Sequence, residues 1–476
     1  MELLFESRTE ITKTTGKTYF FQRKPTIHPE SVLGPDSFVD GAGTMCYGTV
    51  LRDSGIYRMW YSAWPGDWNG SNSNLIGYAE SDDGLAWRKP KLGLVDYAGK
   101  GTDNNLVDVS GHSFTVFIDP DAPAGCRYRA TMCAGSEQQQ GSRAGLGGYG
   151  YYTAHSADGL KWEYDQPVPQ WKSSDVITSI YHPGQRRGIV ALKRTPRVNG
   201  IPRRSIWNAE LRAGRWSEAR SALLPDEYDD IAAGSRGFAS GDYYGMGMMP
   251  AGSGTVGFLW QFRHSLPRSA GSEVGVFGVI DVTLAYQAGR KDRWVHVPGR
   301  PDFINNTDPS FGNGVIYTSS CPVTVGDEQW LYFSAYPRSH AWYLDEKWQK
   351  DEILLQAVID EGIARIGVAR WPKWRVFGFR SDPRGTLSLR LDGIREPCRL
   401  LLNYECEQGG SVRISLGDVP GRTEENSIPL TGSSLNAVAT WSDGDVLVPR
   451  LEGQSVEATL HLDRASVYAY QILPAG

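Results

Sequence analysis

The chain has 476 residues, which is enough for two or three domains that each bury a core. Its 55 glycines, 27 prolines, 16 tryptophans and 23 tyrosines describe a turn-rich, aromatic-rich β protein. A net charge of −5 argues against nucleic acid or an anionic membrane as a partner. The residues from Met1 to Arg8 do not form a signal peptide, and no apolar run approaches about 18 residues. We therefore expect a cytoplasmic protein that does not span a membrane.

The cysteines have no Cys-x-x-Cys spacing and fall mostly in apolar strand patterns. This pattern predicts reduced, buried thiols, no metal site and no cofactor. The six positions are Cys46, Cys126, Cys133, Cys321, Cys398 and Cys406.

Strand-like runs come in groups of three, separated by Gly, Asp and Pro turns. The groups are 42–50, 56–63 and 75–80; 114–118, 128–133 and 149–155; 176–181, 188–193 and 204–211; 243–249, 255–262 and 276–286; and 315–323, 329–335 and 364–369. Helix periodicity is convincing only at 345–361, an insertion in the last group.

One turn motif, Ser-x-Asp-Gly-x-x-Trp, closes the first two groups. It runs from Ser81 to Trp87 and again from Ser156 to Trp162, 75 residues apart, and a degenerate form occupies 289–294. We interpret the motif as an outer turn of a propeller blade. Its tryptophan then covers the end of a hairpin rather than forming a platform for a sugar.

Five groups between about 36 and 380 predict a five-bladed β-propeller. After residue 385 the strands become short and alternating at the spacing of a sandwich. The predicted fold is therefore all-β, with a propeller at 1–385 and a C-terminal β-sandwich at 386–476. The sandwich is expected to buttress the propeller and could also mediate homo-oligomers.

The innermost strands of a propeller start at one shared face around its axis. Here four of these starts carry Asp40, His112, Asp175 and Asp242, while the fifth, at 311–314, carries no titratable residue. We expect three carboxylates and one histidine to point into one funnel. The competing interpretation is that an aspartate before a strand is a turn former, and that His112 is a structural ligand to water or a metal ion.

Further candidates for sugar binding lie on other parts of the blades. Lys193 and Arg204 belong to the third blade, Tyr244 starts the fourth, and Arg263 follows its middle strand. Surface or structural salt bridges are an equally good account of Lys193, Arg204 and Arg263.

Aromatic candidates complete this set. Trp64 and Trp68 stand in a glycine-rich loop after the second strand, and His340 and Trp342 stand near the end of the fifth blade. Trp64 and Trp68 could form a stacking wall for a sugar ring or could anchor their loop by hydrophobic contact.

The five blades, the Tyr57-Arg58-Met59-Trp60-Tyr61-Ser62 strand and the Ser-x-Asp-Gly-x-x-Trp turns resemble the five-bladed propeller glycosidases. That superfamily includes the fructofuranosidases of family 32 and the arabinofuranosidases and xylosidases of family 43. The trailing sandwich is similar to the family 32 arrangement. Two motifs depart from the pattern, because Asn-Asp-Pro-Asn-Gly is absent around Asp40 and Arg-Asp-Pro is absent around Asp175.

The resemblance implies hydrolysis of a furanoside through an oxocarbenium-like transition state, with an oligosaccharide or glycoside as substrate. It implies Asp40 as nucleophile or base, Asp175 as a fixed anion and Asp242 as general acid, although the family's acid is usually Glu. The sandwich favours a retaining outcome, for which the two carboxyl groups would lie about 5–5.5 Å apart.

Three alternatives remain open at this stage. A phosphorylase of the related mannoside group would need one carboxylic acid and a cluster of Arg and His for phosphate, and clustered carboxylates disfavour it. A sialidase-like enzyme would need an arginine triad and a Tyr nucleophile, normally on six blades. A non-catalytic carbohydrate-binding propeller would have no need for clustered like charges.

Overall fold

The computed structural model describes residues 1–5, 10–69, 75–135, 146–172, 174–266, 274–392, 394, 396–417, 419–447 and 455–475. The fold is all-β, with five blades of antiparallel strands followed by a C-terminal sandwich. Three strands precede the first blade: β1 (Glu2–Leu3), β2 (Ile11–Gln22) and β3 (Thr26–Ile27).

The first two blades are built from consecutive strands. Blade 1 comprises β4 (Gly43–Asp53), β5 (Ile56–Trp64), β6 (Leu75–Ser81) and β7 (Leu106–Ser110). Blade 2 comprises β8 (His112–Ile118), β9 (Tyr128–Ala134), β10 (Gly150–Ser156), β11 (Glu163–Tyr164) and β12 (Trp171–Lys172).

Blade 3 carries a small inserted hairpin. Its strands are β13 (Ile177–His182), β14 (Arg187–Arg194), β17 (Ser205–Arg212), β18 (Arg215–Trp216) and β19 (Arg220–Leu223), and the hairpin is β15 (Arg197–Val198) with β16 (Ile201–Pro202). Helix α1 (Glu227–Gly234) connects it to blade 4, and Asp226 caps this helix through a capping box.

The last two blades share one hydrogen-bonded sheet through a single bridge between Ile280 and Val315. Blade 4 comprises β20 (Ser240–Ala251), β21 (Gly254–His264), β22 (Gly278–Gln287), β23 (Val295–His296) and β24 (Asp302–Ile304). Blade 5 comprises β25 (Val315–Thr318), β26 (Val323–Val325), β27 (Glu328–Tyr336) and β28 (Arg365–Pro372). The predicted helical insertion of blade 5 is confirmed as α2 (Glu346–Gln349) and α3 (Glu352–Glu361).

The blades close into a ring. The inner strands β4, β8, β13, β20 and β25 contact one another in that cyclic order, and β25 contacts β4 again. The N-terminal strand β3 adds itself to the outer edge of blade 5, where Ile27 pairs with Ala369. The start of the chain is therefore fixed to the last blade.

The repeated Ser-x-Asp-Gly-x-x-Trp turns have the same hydrogen bonds in both copies. In the first, Ser81 Oγ accepts the Gly84 N–H at 2.8 Å, and the indole N–H of Trp87 donates to the Gly84 carbonyl at 3.0 Å. The glycine has φ of +82°, which favours glycine over other residues. These turns are structural elements, as the sequence predicts.

Each of these turns also joins its blade to the preceding one. The Gly159 carbonyl of blade 2 accepts a hydrogen bond from the Trp60 indole of blade 1 at 2.7 Å. In the same way, the Gly84 carbonyl of blade 1 accepts from Tyr332 of blade 5 at 2.7 Å. The second contact spans the point where the ring closes.

The C-terminal sheet consists of long strands that bend over themselves. They are β29 (Phe377–Leu391), β30 (Cys398–Leu416), β31 (Ser433–Val438), β32 (Val446–Leu447) and β33 (Val456–Pro474). Register shifts interrupt β29 between Ser381 and Arg384 and β30 between Cys406 and Ser411. Bulges bend strands, and buried side chains from both halves of β29, β30 and β33 belong to one core.

The N-terminal strands belong to this second sheet. Strand β2 pairs with β29, and β1 pairs with β33. This pairing assigns β1 and β2 to the sandwich rather than to the propeller. The domain limits 1–385 and 386–476 stay a prediction.

No helix among the described residues is long and apolar enough to span a membrane. All six cysteines are free thiols. Within the described ranges, no three His, Cys, Asp or Glu side chains are grouped so that they could hold a metal ion.

Candidate active site

A cavity of about 340 Å³ lies where the five inner strands meet. Each blade contributes at least one side chain from its inner strand or from the two residues before it. These side chains include Tyr47, His112, Asp175, Tyr244 and Tyr317. Two of the four predicted strand-start residues, His112 and Asp175, therefore lie in one funnel.

β-Bulges aim three of the inner strands at the cavity. The register shifts between Met45 and Thr49 in β4, between His112 and Thr115 in β8, and between Tyr243 and Gly245 in β20. Bulges bend a strand and redirect its side chains, and they are common beside active sites.

Glycines allow two of these three bulges, those in β4 and β20. A Cβ on Gly48 would lie 1.8 Å from the Trp60 carbonyl oxygen, and one on Gly245 would lie 2.3 Å from the Trp260 ring. Each glycine directly follows a cavity tyrosine, Tyr47 or Tyr244. A Tyr-Gly pair in an inner strand is thus a sequence signal for the cavity wall, and it finds Tyr47, which the strand-start argument missed.

Asp175 is the carboxylate of the cavity, and Lys193 is its counter-ion. Lys193 Nζ lies 2.5 Å from Asp175 Oδ1, with side-chain exposures of 5% for the lysine and 36% for the aspartate. Burial alone would raise the pKa of Asp175, but the charge of Lys193 outweighs it, so that the pKa lies well below its usual range. Burial lowers the pKa of Lys193 in turn. The carboxylate is therefore ionised at neutral pH.

Tyr244 and His340 form a second polar pair beside Asp175. His340 Nε2 lies 2.9 Å from the Tyr244 hydroxyl, and its Nδ1 lies 2.5 Å from the Val276 carbonyl oxygen. Burial and the positive charges of Lys193 and Arg204 lower the pKa of His340 to about 4. The neutral ring donates from Nδ1 to the carbonyl, so Nε2 accepts the tyrosine proton.

The Tyr244 phenol is held in its protonated form. Burial and the charge of Asp175 raise its pKa well above the usual value. Its hydroxyl lies 3.4 Å from Asp175 Oδ2, and Lys193 Nζ lies 3.7 Å from the centre of its ring. The Tyr244 hydroxyl thus lies between the carboxylate and His340, and its single proton is donated to His340 Nε2.

Tryptophans form one wall of the cavity. Trp64 and Trp68 stack with their centroids 5.0 Å apart and an interplanar angle of 6°, and Trp342 lies 6.3 Å from Trp68. Both stacked indole N–H groups are buried and have no hydrogen-bond partner in the described part of the chain. Buried donors normally find an acceptor, so this wall suits a ligand with oxygen atoms.

Arg204 and His112 complete the cavity. Arg204 lines it while its Nη2 donates to the Gly275 carbonyl at 2.8 Å. The His112 ring lies 4.8 Å from the Tyr47 ring, and burial lowers the pKa of His112.

The structure does not bring Asp40 into the cavity. Asp40 is fully buried in blade 1, where its carboxylate accepts hydrogen bonds from Ser37 Oγ, Tyr61 Oη and Lys89 Nζ at 2.7, 2.7 and 2.6 Å. The expectation that it meets Asp175 in one funnel is wrong. Asp40 precedes β4 by three residues and turns into the blade.

Asp242 is likewise outside the cavity. It contacts Arg203 Nε at 2.8 Å, Arg204 Nη1 at 3.4 Å and His264 Nε2 at 3.1 Å, and its side chain is 1% exposed. Burial opposes ionisation, but these partners lower the pKa of Asp242 below its usual range. The prediction that it faces the funnel is wrong because the following bulge turns Tyr244, not Asp242, to the axis.

Arg263 is also held outside the cavity, in an ion-pair cluster with Asp281 and Asp302. This position agrees with the salt-bridge interpretation of Arg263 and does not support the predicted contact of Arg263 with a sugar. The predicted residues that do line the cavity are Trp64, Trp68, His112, Asp175, Lys193, Arg204, Tyr244, His340 and Trp342. Those that the strand-start argument missed include Met45, Tyr47, Tyr317, Tyr336 and Ser339.

Comparisons with known proteins give similarities of fold and one short sequence match. No family model matches the chain. An uncharacterized protein of Mycobacterium tuberculosis (strain H37Rv) is 31% identical over 121 residues, which is 25% of this chain and 33% of that protein. The same match occurs in strain CDC 1551. The chain thus matches about a third of the length of these relatives.

Solved structures of glycoside hydrolases are similar to most of the chain. A thermostable family-43 glycoside hydrolase is 10% identical with a TM-score of 0.43, covering 71% of this chain and 93% of that one. A structure of the GH130 family, whose members include mannoside phosphorylases and hydrolases of β-1,2-mannosidic linkages, is 12% identical with a TM-score of 0.43, covering 77% and 97%. An exo-β-1,3-galactanase of Phanerochaete chrysosporium is 9% identical with a TM-score of 0.39, covering 92% and 99%.

Proposed function

We propose that the axis cavity binds a glycoside and that the protein cleaves its glycosidic bond there. The observation that carries this proposal is the convergence of five inner strands on one cavity with an ionised carboxylate beside an aromatic wall. A concave site with a few convergent polar groups and shifted pKa values is the usual form of an active site.

The aromatic wall supports a sugar as the ligand. Trp64, Trp68 and Trp342 offer apolar faces for the C–H face of a sugar ring, and the two free indole N–H groups offer donors to its hydroxyls. The cavity volume lies near the lower end of the range of about 300–1,000 Å³ for small-molecule sites. This volume favours a short segment of substrate.

Asp175 is the group that we assign to the reacting centre. Because Lys193 keeps it ionised, it can stabilise positive charge at the anomeric carbon or activate the nucleophile, but it cannot supply a proton at neutral pH. In hydrolysis the oxygen of water bonds to the anomeric carbon and releases a proton, the bond to the leaving oxygen breaks, and that oxygen takes up a proton, so that the reaction neither consumes nor produces protons overall.

The protonated Tyr244 hydroxyl lies 3.4 Å from Asp175 Oδ2, and we assign proton donation to it rather than to Lys193, whose ammonium group is paired with Asp175. In the free cavity its proton is shared with His340, and a substrate oxygen would compete for it. Asp175 is the one carboxylate among the described residues of the cavity, so the carboxyl-separation rule gives no stereochemical outcome here. A furanoside remains the first substrate class to test, because the sequence resembles furanoside-cleaving families.

A second candidate function is phosphorolysis, in which phosphate replaces water as the nucleophile. The observation in its favour is that Lys193, Arg204, His112 and His340 share the cavity with a single carboxylate. Repulsion between three carboxylates and a phosphate anion, which argued against this reaction, does not arise in such a cavity.

The decisive experiment is a screen of aryl furanosides and pyranosides with and without phosphate. Release of aryl alcohol by the wild-type protein is expected, and Asp175→Asn should reduce kcat/KM by about 10²- to 10⁴-fold. Asp360→Asn, an exposed change of the same kind, is the matched control and should leave activity unchanged.

The outcomes separate the candidates. Turnover that requires phosphate favours phosphorolysis, and turnover without it favours hydrolysis. Full activity of Asp175→Asn on a genuine substrate would remove Asp175 from the mechanism. Sugar binding in the cavity without turnover of any glycoside would mean that the protein binds carbohydrate and is not a glycosidase.

A further inference from the structure

A second cavity, larger than the axis cavity, lies between the outer strands of blades 3 and 4. Its volume is about 950 Å³, and it shares no lining residue with the axis cavity. Strands β17, β18 and β19 form one side, and the end of β22 with β23 forms the other. We call it the arginine groove.

The arginine groove concentrates positive charge on a protein whose net charge is −5. Six arginines line it, together with the four carboxylates of Glu210, Glu218, Asp226 and Asp292. The arginines are Arg187, Arg212, Arg215, Arg220, Arg290 and Arg293.

Three of these arginines share one carboxylate. Glu210 pairs with Arg187, with Arg212 at 3.0 Å and with Arg290 at 3.4 Å. Asp226 is already engaged by Arg300, which lies outside the groove lining. The carboxylates of the groove therefore do not neutralise its arginines.

The excess of positive charge also acts on Arg187, which lies at the buried inner end of the groove. The Arg187 side chain is 3% exposed, and burial together with the charges of Arg212 and Arg290 lowers its pKa to about 10. A buried guanidinium among like charges would be stabilised by a further anion.

The outer end has free binding groups. Arg215, Arg220 and Arg293 are exposed and form no ion pair with any described carboxylate. A guanidinium binds a carboxylate through two parallel hydrogen bonds, so such side chains favour a ligand with planar anionic groups. Trp216 and Trp294 add apolar surface to the same groove.

We propose that the arginine groove binds an acidic saccharide chain that carries carboxylate groups. The groove has the two features that such a chain recognises: guanidinium groups for the carboxylates and indole surface for the sugar rings. The interspersed carboxylates of the groove and the negative charge of the protein disfavour a polymer as densely charged as nucleic acid. The proposal does not depend on the chemistry of the axis cavity.

Binding of fluorescein-labelled oligogalacturonate, measured by anisotropy at low and high salt, tests this proposal. The full-length protein should bind it, and its affinity should fall as salt screens the charges. The triple variant Arg215→Gln, Arg220→Gln, Arg293→Gln should bind on the order of 10- to 100-fold more weakly. The triple variant Lys13→Gln, Lys17→Gln, Lys161→Gln removes the same charge from exposed positions elsewhere and should bind like the wild type.

Two further probes make the result specific. Neutral oligogalactan should not compete, and Asp175→Asn should retain oligogalacturonate binding even if the proposed activity in the axis cavity is absent. Melting temperatures of both triple variants check that they are folded. No binding by the wild type, equal losses in both triple variants, or groove-dependent binding of single-stranded DNA instead of the saccharide would overturn the proposal.

Discussion

Asp175 and Asp242 start neighbouring inner strands of the propeller but have opposite surroundings. Asp175 has one cationic partner, Lys193, and its side chain is 36% exposed to the axis cavity. Asp242 has two, Arg203 and Arg204, as well as a contact with His264, and its side chain is 1% exposed. Partners lower the pKa of both carboxylates, so ionisation does not distinguish them.

The difference between the two carboxylates is their remaining capacity to bind a ligand. Asp242 is saturated by fixed donors that tie blade 3 to blade 4, so it stabilises the ring. Asp175 keeps an open side towards the cavity. A position at the start of an inner strand is thus compatible with either role, and the donors supplied by neighbouring strands decide between them.

The largest expected effect is on stability, at Asp242. Asp242→Asn leaves Arg203 and Arg204 buried without their shared carboxylate, which should lower the free energy of unfolding by about 3–5 kcal/mol. Asp175→Asn should lower it by less than half as much, because Lys193 can release its proton when its partner is lost. Urea unfolding of both variants measures the difference.

Equal destabilisation by these two variants would contradict the distinction between a structural and an open carboxylate. Glu at position 242 is not a suitable control, because an extra methylene does not fit a saturated site. Asp360→Asn, on the exposed insertion, controls for the chemical change itself.

A smaller loss is expected at Asp40, which belongs to the structural class as well. Asp40→Asn should reduce the free energy of unfolding by about 2–3 kcal/mol, less than at Asp242, because Lys89 still has Asp36 at 2.5 Å. The variant should keep wild-type kcat/KM on any substrate found in the screen. Loss of activity in a fully folded Asp40→Asn protein would return Asp40 to the reacting centre.

The sequence predicts the blades of the propeller more completely than it predicts the residues of the axis cavity. The repeated turns are local: Ser81, Gly84 and Trp87 form their hydrogen bonds within seven residues, so the pattern alone indicates the blade length. Blade number and order follow from such local signals. The predicted residues that line the cavity include those that lie beside inner-strand starts or late in blade 5.

The orientation of inner-strand side chains is not local and could not be predicted in the same way. A one-residue shift of register turns a side chain to the other face of its strand. In blade 4 the bulge between Tyr243 and Gly245 directs Tyr244 to the axis and leaves Asp242 in the blade. A Cβ at position 245 would collide with Trp260 and Val176 from other strands, and this packing is visible only after folding.

A pH effect of about 2 kcal/mol on the free energy of unfolding is expected from His340 of the axis cavity. The pKa of His340 is lowered from 6.5 to about 4 in the folded state. The folded protein therefore resists protonation while the unfolded chain accepts a proton below pH 6.5, so stability is present above that pH and lost as pH falls towards 4. Between pH 7 and pH 5 the wild type should lose about 2 kcal/mol more than His340→Gln.

Urea unfolding at the two pH values measures this difference. His296, whose pKa is also lowered to about 4, titrates in both proteins and cancels in the comparison. The same loss in wild type and His340→Gln would mean that His340 is not held neutral by its surroundings.

The smallest expected effect concerns the pH profile of activity and tests the Asp175–Lys193 pair directly. Lys193→Met removes the charge that lies 2.5 Å from the carboxylate and keeps much of the side-chain volume. Without it, burial dominates and the pKa of Asp175 rises, since an opposite charge at this distance lowers a carboxyl pKa by about 1–3 units. The acid limb of kcat/KM should therefore move to higher pH by at least about one unit.

Lys172→Met, at an exposed lysine on blade 2, should leave the acid limb in place. A reduced kcat/KM with an unmoved acid limb would assign Lys193 to substrate binding alone. A displaced limb would identify Asp175 as the carboxylate on which the reaction depends, and this dependence, rather than ionisation, separates it from Asp242.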